Sequence, residues 1–302
     1  MNDKTVKDIE SLIDQGLNAE KSELDLREKE LEDEDVIQIV ASDKVKGVTA
    51  LFLEFNDIGD EGIKAIAECA HFKFLTALNL FKNKVTDEGA KILATSKTFL
   101  NISELIMSDN EVGVEGARAL AESKILANLV SLWVGDKIGD EGTTLLANSK
   151  YLTRLNLLSL YRNNIGLEGA QAIANSKNFS KLSELNLNWN YIEGDGVEVM
   201  MASETMKSLT QLTLTYNPIG NRGATAIANS SNMDNVTLLD LYETEISDEG
   251  ARALAESQHL KNLETLVLIH NDISEDIEAM FKDSKNLPKL TNVMFRPEKA
   301  EL

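Results

Sequence analysis

The sequence predicts an α/β solenoid, a stack of similar coils in which each coil supplies one short strand and one helix. The first observation is repetition: residues 51–62 return with the same apolar pattern at residues 78–89, 27 positions later. The second is a change of period within each block, from the alternation of a strand to the spacing of a helix. The third is that one block cannot bury its apolar side alone, so that successive blocks must stack.

The frame can be followed through the third apolar residue of each predicted strand. Nine of the ten intervals between these markers are 27 residues, and the interval from Val134 to Leu160 is 26. Because the frame returns at once, the missing residue belongs to the turn after Val134 and not to a strand. The markers are Leu26, Leu53, Leu80, Met107, Val134, Leu160, Leu187, Leu214, Leu241, Leu268 and Phe295.

An asparagine follows most markers by three residues, where the strand must turn. Its side chain can hydrogen-bond backbone groups that no strand partner satisfies. The helical part then opens on Asp-Glu-Gly or a related triplet, and acids are favourable at a helix N-terminus. We assign these acids to helix-start electrostatics and not to calcium, because their spacing does not match an EF-hand loop. The asparagines are Asn56, Asn83, Asn110, Asn163, Asn190, Asn217 and Asn271.

Residues 1–22 precede the repeats and are predicted to form a capping segment. Apolar residues at helical spacing predict an amphipathic helix from Lys4 to Gln15 that covers the open first edge of the array. Docking of this helix onto another protein is the alternative. Residues 23–302 are predicted to form one domain of about ten 27-residue units with a truncated last unit. The last predicted strand ends at Pro297, and its open edge suggests self-association through the C-terminal end.

Composition narrows the class of partner and the compartment. The formal charge is -20, with 30 basic and 50 acidic residues. Nucleic acid is disfavoured, since phosphate contacts need clustered Lys and Arg, and a protein with a basic surface is the more natural partner. The alternative is that the acidic charge only keeps the protein soluble.

Other features bear on location. The sequence has no run of about 18 apolar residues, so no membrane span is expected. The first residues lack a signal-peptide core, and the single cysteine, Cys69, fits a reducing compartment. We therefore expect a cytoplasmic protein, or one exported by a route without a classical signal peptide. Cys69 stands where other repeats have serine and is expected to be a packed thiol.

These residues resemble the leucine-rich repeat family from about residue 23 to 297. The pattern is most similar to the subfamily of ribonuclease inhibitor, the Ran GTPase-activating protein and nucleotide-binding receptors. Residues 116–121 and 250–255, both Gly-Ala-Arg-Ala-Leu-Ala, also resemble the GALA-type repeats of bacterial effectors. The resemblance implies a horseshoe with a parallel sheet on the concave face and helices on the convex face. It implies a protein-binding scaffold, with regulation of a small GTPase or action as a bacterial effector on a host protein as alternatives.

The frame also predicts which side chains face the hollow of the array. Eight of the 16 aromatic residues, including both tryptophans, fall between or just after the strand leucines. Exposed Trp and Tyr are typical anchors of protein interfaces, and the alternative is that stacked rings only stabilise the sheet. Acids predicted on the same face favour a basic protein or peptide, and these are Glu54, Glu104, Asp109, Asp136, Glu184, Asp240 and Glu243. The predicted partner-binding residues are Phe52, Phe55, Phe81, Glu104, Trp133, Tyr161, Arg162, Trp189, Tyr216, Asp240 and Tyr242.

The sequence carries few signs of catalysis. His71, His259 and His270 are its only histidines, and no two of them have helical metal-ligand spacing. Neither the GxxxxGK[ST] phosphate loop nor the GxSxG nucleophile motif occurs. We therefore predict no catalytic residue, no metal and no cofactor, and expect the histidines to be structural or on the surface.

Overall fold

The computed structural model describes residues 7–282 and 284–297. The chain divides into two compact units. The first unit comprises residues 1–136 and 149–154, and the second comprises residues 137–148 and 155–302. Both are built from the predicted coil of strand, turn and helix, which confirms the α/β repeat class.

Within each unit the strands pair in parallel with their neighbours in chain order, and equivalent leucines lie opposite each other, as Leu24 does Leu51. The strands of the first unit are β1 (Glu23–Asp25), β2 (Ala50–Phe52), β3 (Ala77–Asn79), β4 (Glu104–Met107) and β5 (Ser131–Val134). Those of the second are β6 (Leu157–Ser159), β7 (Glu184–Asn186), β8 (Gln211–Thr213), β9 (Leu238–Asp240), β10 (Thr265–Val267) and β11 (Asn292–Met294).

Each of the strands β1 to β10 is followed by a helix of eight to ten residues. The first unit contains α1 (Ile9–Gly16), α2 (Asp33–Ala41), α3 (Asp60–Glu68), α4 (Asp87–Thr95) and α5 (Val114–Glu122). The second contains α6 (Gly139–Ala147), α7 (Leu167–Asn175), α8 (Gly194–Met201), α9 (Gly220–Asn229), α10 (Asp248–Ala255) and α11 (Glu275–Lys282). Short 3₁₀ turns lie at Asp43–Val45, Ala70–Phe72, Lys97–Phe99, Ile125–Asn128, Asn178–Lys181, Glu204–Ser208 and Ser231–Met233.

The core lies between the strands and the helices. At β2, Leu51 and Leu53 are buried, whereas Phe52 between them is partly exposed on the other side of the sheet. Successive strand side chains point to opposite faces, so the leucines meet the buried stripe of the helix, such as Ile63 and Ile66 of α3. Each buried leucine contributes about 1.5–3 kcal/mol. We call the opposite side of each sheet, which carries residues such as Phe52, its open face.

The repeat asparagines tie each turn to the previous one. The Asn83 side-chain amide donates to the carbonyls of Leu53 (2.9 Å) and Leu80 (3.1 Å). Its side-chain oxygen accepts from the Ile58 N–H at 3.0 Å. Buried backbone groups left over by the short strands are thereby satisfied, as the sequence predicts. Thr244 replaces the asparagine in one repeat, and its hydroxyl donates to the Leu241 carbonyl at 2.8 Å.

A second ladder links the helix starts, and it was not predicted. The Asp60 carboxylate accepts from the N–H groups of Thr86 (2.9 Å) and Gly89 (3.0 Å) in the next repeat. It therefore caps the following helix, whereas the sequence suggested only an effect on its own helix. A Cβ at Gly89 would lie 2.5 Å from the Asp60 Oδ1, so glycine is needed for this close approach. Asn221 performs the same role for Ser247 and Gly250.

The opposite ends of the helices are joined through the repeat serines. The Ser96 hydroxyl donates to the Ala67 carbonyl at 2.7 Å, and Ser123 donates to Ala94 at 2.5 Å. These contacts satisfy carbonyls that have no partner within their own helix. Cys69 occupies the equivalent position, with its sulfur 3.5 Å from the Val40 carbonyl. Burial raises the pKa of the Cys69 thiol, which agrees with a packed and unreactive cysteine.

The N-terminal helix begins later than predicted. It spans Ile9–Gly16 and not Lys4 to Gln15, and residues 4–6 of the prediction lie outside the described residues. The Asp8 side chain accepts from the Ser11 N–H at 3.1 Å and so fixes the start, which apolar spacing alone does not reveal. Leu17 then bridges to Leu24 of β1. The division into residues 1–22 and 23–302 stays a prediction.

None of the helices in residues 7–282 and 284–297 combines the length and apolar character needed to cross a bilayer.

Candidate binding surfaces on the open face

The residue two positions after most of the markers adopts a left-handed conformation in the turn that follows the strand. This turn position is occupied by nine non-glycine residues within the described ranges, with φ between 50° and 59°. Such conformations are uncommon and strained for residues with a Cβ, and the neighbouring asparagine hydrogen bonds stabilise them here. The nine residues are Glu28, Phe55, Lys82, Asp109, Arg162, Trp189, Tyr216, Glu243 and His270.

In the second unit, the turns of β7 to β10 bring four rings into one row. Trp189 and Tyr216 are stacked, with ring centroids 3.8 Å apart and planes at 29°. Tyr242 lies 5.3 Å from Tyr216, and His270 lies 5.0 Å from Tyr242 in an edge-on arrangement. Trp189 remains 47% exposed. We call Trp189, Tyr216, Tyr242 and His270 the ring row.

The polar groups of the ring row are held by one another. The pKa of Tyr216 is raised to about 12. The largest cause is hydrogen bonding with the Tyr242 hydroxyl, followed by burial and the Glu243 carboxylate. The Tyr216 hydroxyl therefore stays neutral at physiological pH and can still donate a hydrogen bond. Asp240 accepts from the Tyr242 N–H at 3.1 Å, and burial raises the pKa of the Asp240 carboxyl. The ring row thus carries hydrogen-bonding groups beside its apolar surface.

Amide side chains form a fixed polar surface on the neighbouring strand ends. The Asn188 N–H donates to the Asn186 side chain at 3.0 Å. The Asn188 side-chain oxygen in turn accepts from the Thr215 N–H at 2.9 Å. The hydroxyl oxygen of Thr213 has no hydrogen-bond partner within residues 7–282 and 284–297. A ligand over this strand end would therefore meet amide groups whose orientation is set in advance.

The remaining predicted residues of the second unit are Tyr161 and Arg162. The Arg162 guanidinium lies 5.8 Å from the centre of the Tyr161 ring, within the range of a cation–π interaction. Arg162 is exposed and Tyr161 is partly exposed. Within the described residues, Tyr161 makes no ring–ring contact.

In the first unit, the predicted aromatic residues form smaller contacts. Phe55 and Phe81 pack edge to face, with centroids 5.3 Å apart, and the Lys82 ammonium lies 5.2 Å from the Phe55 ring centre. The Arg27 guanidinium lies 5.9 Å from the Phe52 ring. All three phenylalanines reach the open face, but cations cover part of two of them.

Glu104 and Trp133 lie on adjoining strands of the first unit. Both are partly exposed on the open face. Trp133 is opposite Ile106 in the pairing of β4 with β5. No ring stacks on Trp133 in the part of the chain that the structure describes, so this tryptophan lacks the ordered neighbours that Trp189 has.

Glu54 is placed differently from the other acids of the open face. The sequence suggests that it meets solvent, but it is only 7% exposed. The Asn79 side-chain amide donates to its Oε1 at 2.7 Å, while its Oε2 has no hydrogen-bond partner in the described part of the chain. Burial raises the pKa of the Glu54 carboxyl above its ordinary value. An open cavity of about 510 Å³ is lined by Gln15, Gly16, Asp25, Arg27, Glu28, Lys29, Glu54 and Phe55.

His270 and Glu243 lie outside the predicted partner-binding set, although the repeat frame places both on the same face, and both contact the ring row. His270 is on the surface, as expected, and it extends the ring row. Both residues occupy the turn position of Trp189 and Tyr216, and this shared position is the sequence signal that identifies them. Within the described residues, no group of three or more His, Cys, Asp or Glu side chains is arranged to hold a metal ion.

Parallel strand–helix coils joined by asparagine turns define the repeat class of this protein. The chain belongs to the leucine-rich repeat family, whose model matches more than half of its length. The matched segments are residues 48–67, 73–94, 100–121, 148–174, 180–201, 205–228 and 234–255. Domains of this family generally bind protein partners and are typically not enzymes. The likeness to the ribonuclease-inhibitor subfamily stays an interpretation.

Two solved structures are similar to this chain at low sequence identity. An internalin (inlF) from Listeria monocytogenes str. 4b F2365 is 18% identical with a TM-score of 0.48, over 96% of this chain and 94% of the internalin chain. A TDR receptor is 16% identical with a TM-score of 0.45, over 90% of this chain and 55% of the receptor chain. At these levels neither similarity bears on what the chain binds. A comparison with curated proteins gave no match.

Proposed function

We propose that this protein is a binding scaffold that engages a protein partner through the open face of its second unit, with the ring row as the main contact. The observation that supports this most is the stacking of Trp189 on Tyr216 at 3.8 Å while Trp189 remains 47% exposed. Trp and Tyr are enriched among residues that dominate binding energy. Rings already held in place lose little further conformational entropy when a partner binds.

The partner we propose has a basic surface. Glu184, Asp240 and Glu243 lie on the strands and turns that carry the ring row, and the whole chain has a formal charge of -20. Carboxylates steer a cationic partner and set its register, while the faces of Trp and Tyr attract Lys and Arg side chains. Regulation of a small GTPase, action as a bacterial effector, cytoplasmic location and self-association through the C-terminal edge stay predictions without a specific contact in their favour.

Substitution of Trp189 tests this proposal. Because Trp189 has φ of 58°, asparagine is the suitable replacement, since it tolerates this conformation better than alanine. The partner would first be captured from the source cell with the immobilised protein. We expect Trp189→Asn to weaken its affinity by about 2 kcal/mol or more, roughly 30-fold, as for an interface hot spot. Thermal unfolding should change little.

Tyr191 provides the matched control. It is 66% exposed and belongs to the same turn, but it makes no ring contact with the ring row. Tyr191→Ala should therefore leave the affinity of the captured protein unchanged. If Trp189→Asn lowers the unfolding temperature and leaves the affinity intact, the ring row only stabilises the sheet and the proposal is wrong.

A further inference from the structure

The first unit separates its charges between two edges. After α3, α4, α5 and α6, the chain returns to the next strand through residues 70–76, 97–103, 124–130 and 150–154, all of which belong to the first unit. These four return segments contain no Asp or Glu, although the chain has 50 acidic residues. They carry five cations, Lys73, Lys97, Lys124, Lys150 and Arg154. The helix starts of the same unit carry the acids Asp57, Asp60, Glu61, Asp87, Glu88, Glu111 and Glu115.

Hydrogen bonds between successive return segments hold the cations in neighbouring rows. The Asn101 side-chain amide donates to the Lys73 carbonyl at 2.9 Å, and Asn128 donates to the Leu100 carbonyl at 2.9 Å. The Arg154 guanidinium donates to the Asn128 side-chain oxygen at 2.8 Å. The four segments are thus packed at one repeat spacing. We call the surface made by Lys73, Lys97, Lys124, Lys150 and Arg154 the basic edge.

The cations of the basic edge are available to a ligand. All five are exposed, and none forms an ion pair with a carboxylate of the described residues. Lys44 and Lys46, in the return segment of the preceding repeat, differ in this respect. Lys44 pairs with Glu10 (2.9 Å) and Asp14 (2.8 Å), and Lys46 pairs with Asp43 (2.7 Å). The uncompensated positive surface therefore begins at Lys73.

Apolar side chains are interleaved with these cations. Phe74 is 57% exposed, Leu100 is 45% exposed and Val130 is 37% exposed. They account for three of the seven exposed large hydrophobic residues within the described ranges. The Lys73 ammonium lies 4.9 Å from the centre of the Phe74 ring. A surface that joins unpaired cations to exposed apolar groups fits an occupant that is both acidic and amphipathic.

We propose that the basic edge is a second binding surface, which takes an acidic amphipathic helix of a protein partner. The return segments end beside the strands and pair there as the strands do, since the Ser103 N–H donates to the Thr76 carbonyl at 2.8 Å. The strand spacing of about 4.8 Å is close to the 5.4 Å rise of one helical turn. Carboxylates one turn apart on such a helix can therefore meet lysines in successive repeats, while its apolar stripe covers Phe74 and Leu100. This surface uses residues of the first unit and does not depend on the ring row.

A short acidic helix fits the basic edge better than an anionic membrane. An extended anionic plane would come close to acids of the chain, whose formal charge is -20, as well as to the basic edge. A short helix can stay within reach of the basic edge, because charges beyond about 8–10 Å are screened at physiological salt. The five cations of the basic edge can therefore attract a short acidic helix without attracting an anionic membrane.

Charge reversal with a matched control tests the basic edge. The variant Lys97→Glu/Lys124→Glu/Lys150→Glu would be compared with Lys207→Glu/Lys261→Glu/Lys285→Glu, which makes the same change of net charge in return segments of the second unit. The probe is a fluorescent helical peptide of Glu, Leu and Ala, with a peptide in which Gln replaces Glu as its control. We expect the first variant to bind the acidic peptide at least about tenfold more weakly, and the second to bind like the unaltered protein.

Two further measurements complete the test. Binding of the acidic peptide should weaken strongly in about 1 M salt, where the Debye length is only about 3 Å. Leu100→Gln should also weaken binding of the acidic peptide. This single variant tests the proposal if circular dichroism shows that the triple variant does not fold. The proposal is overturned if the unaltered protein does not bind the acidic peptide, if both triple variants lose binding equally, or if phosphatidylserine vesicles bind and the peptide does not.

Discussion

Glu54 holds one carboxylate oxygen without a partner on the open face of the first unit. Asn79 donates to Oε1 at 2.7 Å, and Oε2 has no hydrogen-bond partner among the described residues. A buried ionised carboxylate is costly unless it is paired and fully hydrogen-bonded. Burial accordingly raises the pKa of Glu54, and Arg27 and the residue's own backbone N–H only partly oppose this shift. Ionisation of the Glu54 carboxyl at neutral pH therefore destabilises the folded state.

The raised pKa of Glu54 gives a pH-dependent contribution to stability. The folded state binds the proton more tightly than the unfolded state, for which the ordinary value is 4.5. The contribution is therefore fully favourable below that pH and is lost as the pH rises through the folded-state pKa. Glu54→Gln keeps an acceptor for Asn79 and removes the charge. We expect it to raise the free energy of unfolding at pH 7 by about 1 kcal/mol.

Denaturant unfolding at several pH values measures this effect. The difference between Glu54→Gln and the unaltered protein should grow from near zero below about pH 4.5 to its full value at neutral pH. An equal difference at every pH, or a less stable Glu54→Gln variant at pH 7, would show that the buried charge is not the cause.

Single residues of the ring row could be predicted from the sequence only in part. The two-residue period of a strand places Tyr242 on the open face, and the repeat frame places Trp189 and Tyr216 at its turns. Their stacking depends on left-handed backbone conformations at the turn position, and no residue type there signals them. The surroundings of Glu54 include Arg27 and Asn79 from the two adjacent repeats, and spacing alone does not reveal these neighbours.

At the scale of the element, each helix depends on the repeat before it. Asp87, the first residue of α4, accepts from the N–H groups of Gly113 (2.7 Å) and Gly116 (2.8 Å) at the start of α5. These N–H groups have no partner within their own helix. The ladder of acids therefore couples neighbouring helices as the asparagines couple neighbouring turns. Loss of one of these carboxylates should therefore destabilise the following helix more than the helix that contains the acid.

Substitution of Asp87 tests this coupling. Asp87→Ala leaves two partly buried N–H groups without an acceptor, and we expect a loss of about 1–3 kcal/mol in the free energy of unfolding. Asp87→Asn should retain most of the stability, because Asn221 already serves as the acceptor in another repeat. Denaturant unfolding followed by circular dichroism measures both variants.

Glu88 is the control for this prediction. It is the next residue of α4, it is exposed, and its ion pair with Lys91 at 3.6 Å lies on the surface. Glu88→Ala should therefore cost less than about 0.5 kcal/mol. An equal cost for Asp87→Ala and Glu88→Ala would mean that both acids act through the charge at the helix start, and the coupling between repeats would be refuted.

The existence and order of the elements were predictable, but some of their contacts were not. A change from the period of a strand to that of a helix in each block was enough to predict β2 followed by α3. The same pattern placed the start of α1 too early, because it contains no information on the Asp8 cap. The role of Asp60 was also missed, since its partners Thr86 and Gly89 lie in another repeat.

At the scale of the molecule, net charge conceals local charge. A formal charge of -20 argues against an acidic partner when it is spread evenly over the chain. The structure gathers Lys73, Lys97, Lys124, Lys150 and Arg154 on one edge of the first unit, where no carboxylate of the described residues pairs with them. The second unit instead places acids around its ring row. The two surfaces therefore suit partners of opposite charge.

The chain contains two tryptophans, so the variant Trp133→Phe would leave Trp189 as the only indole. Trp189 is 47% exposed and stacks on Tyr216. Fluorescence of Trp189 in this variant, recorded during titration with the captured partner, tests the proposed interface most directly. We predict a blue shift of the emission and protection from acrylamide quenching that saturate together with binding. Unchanged Trp189 emission and quenching at full saturation would show that the partner binds elsewhere.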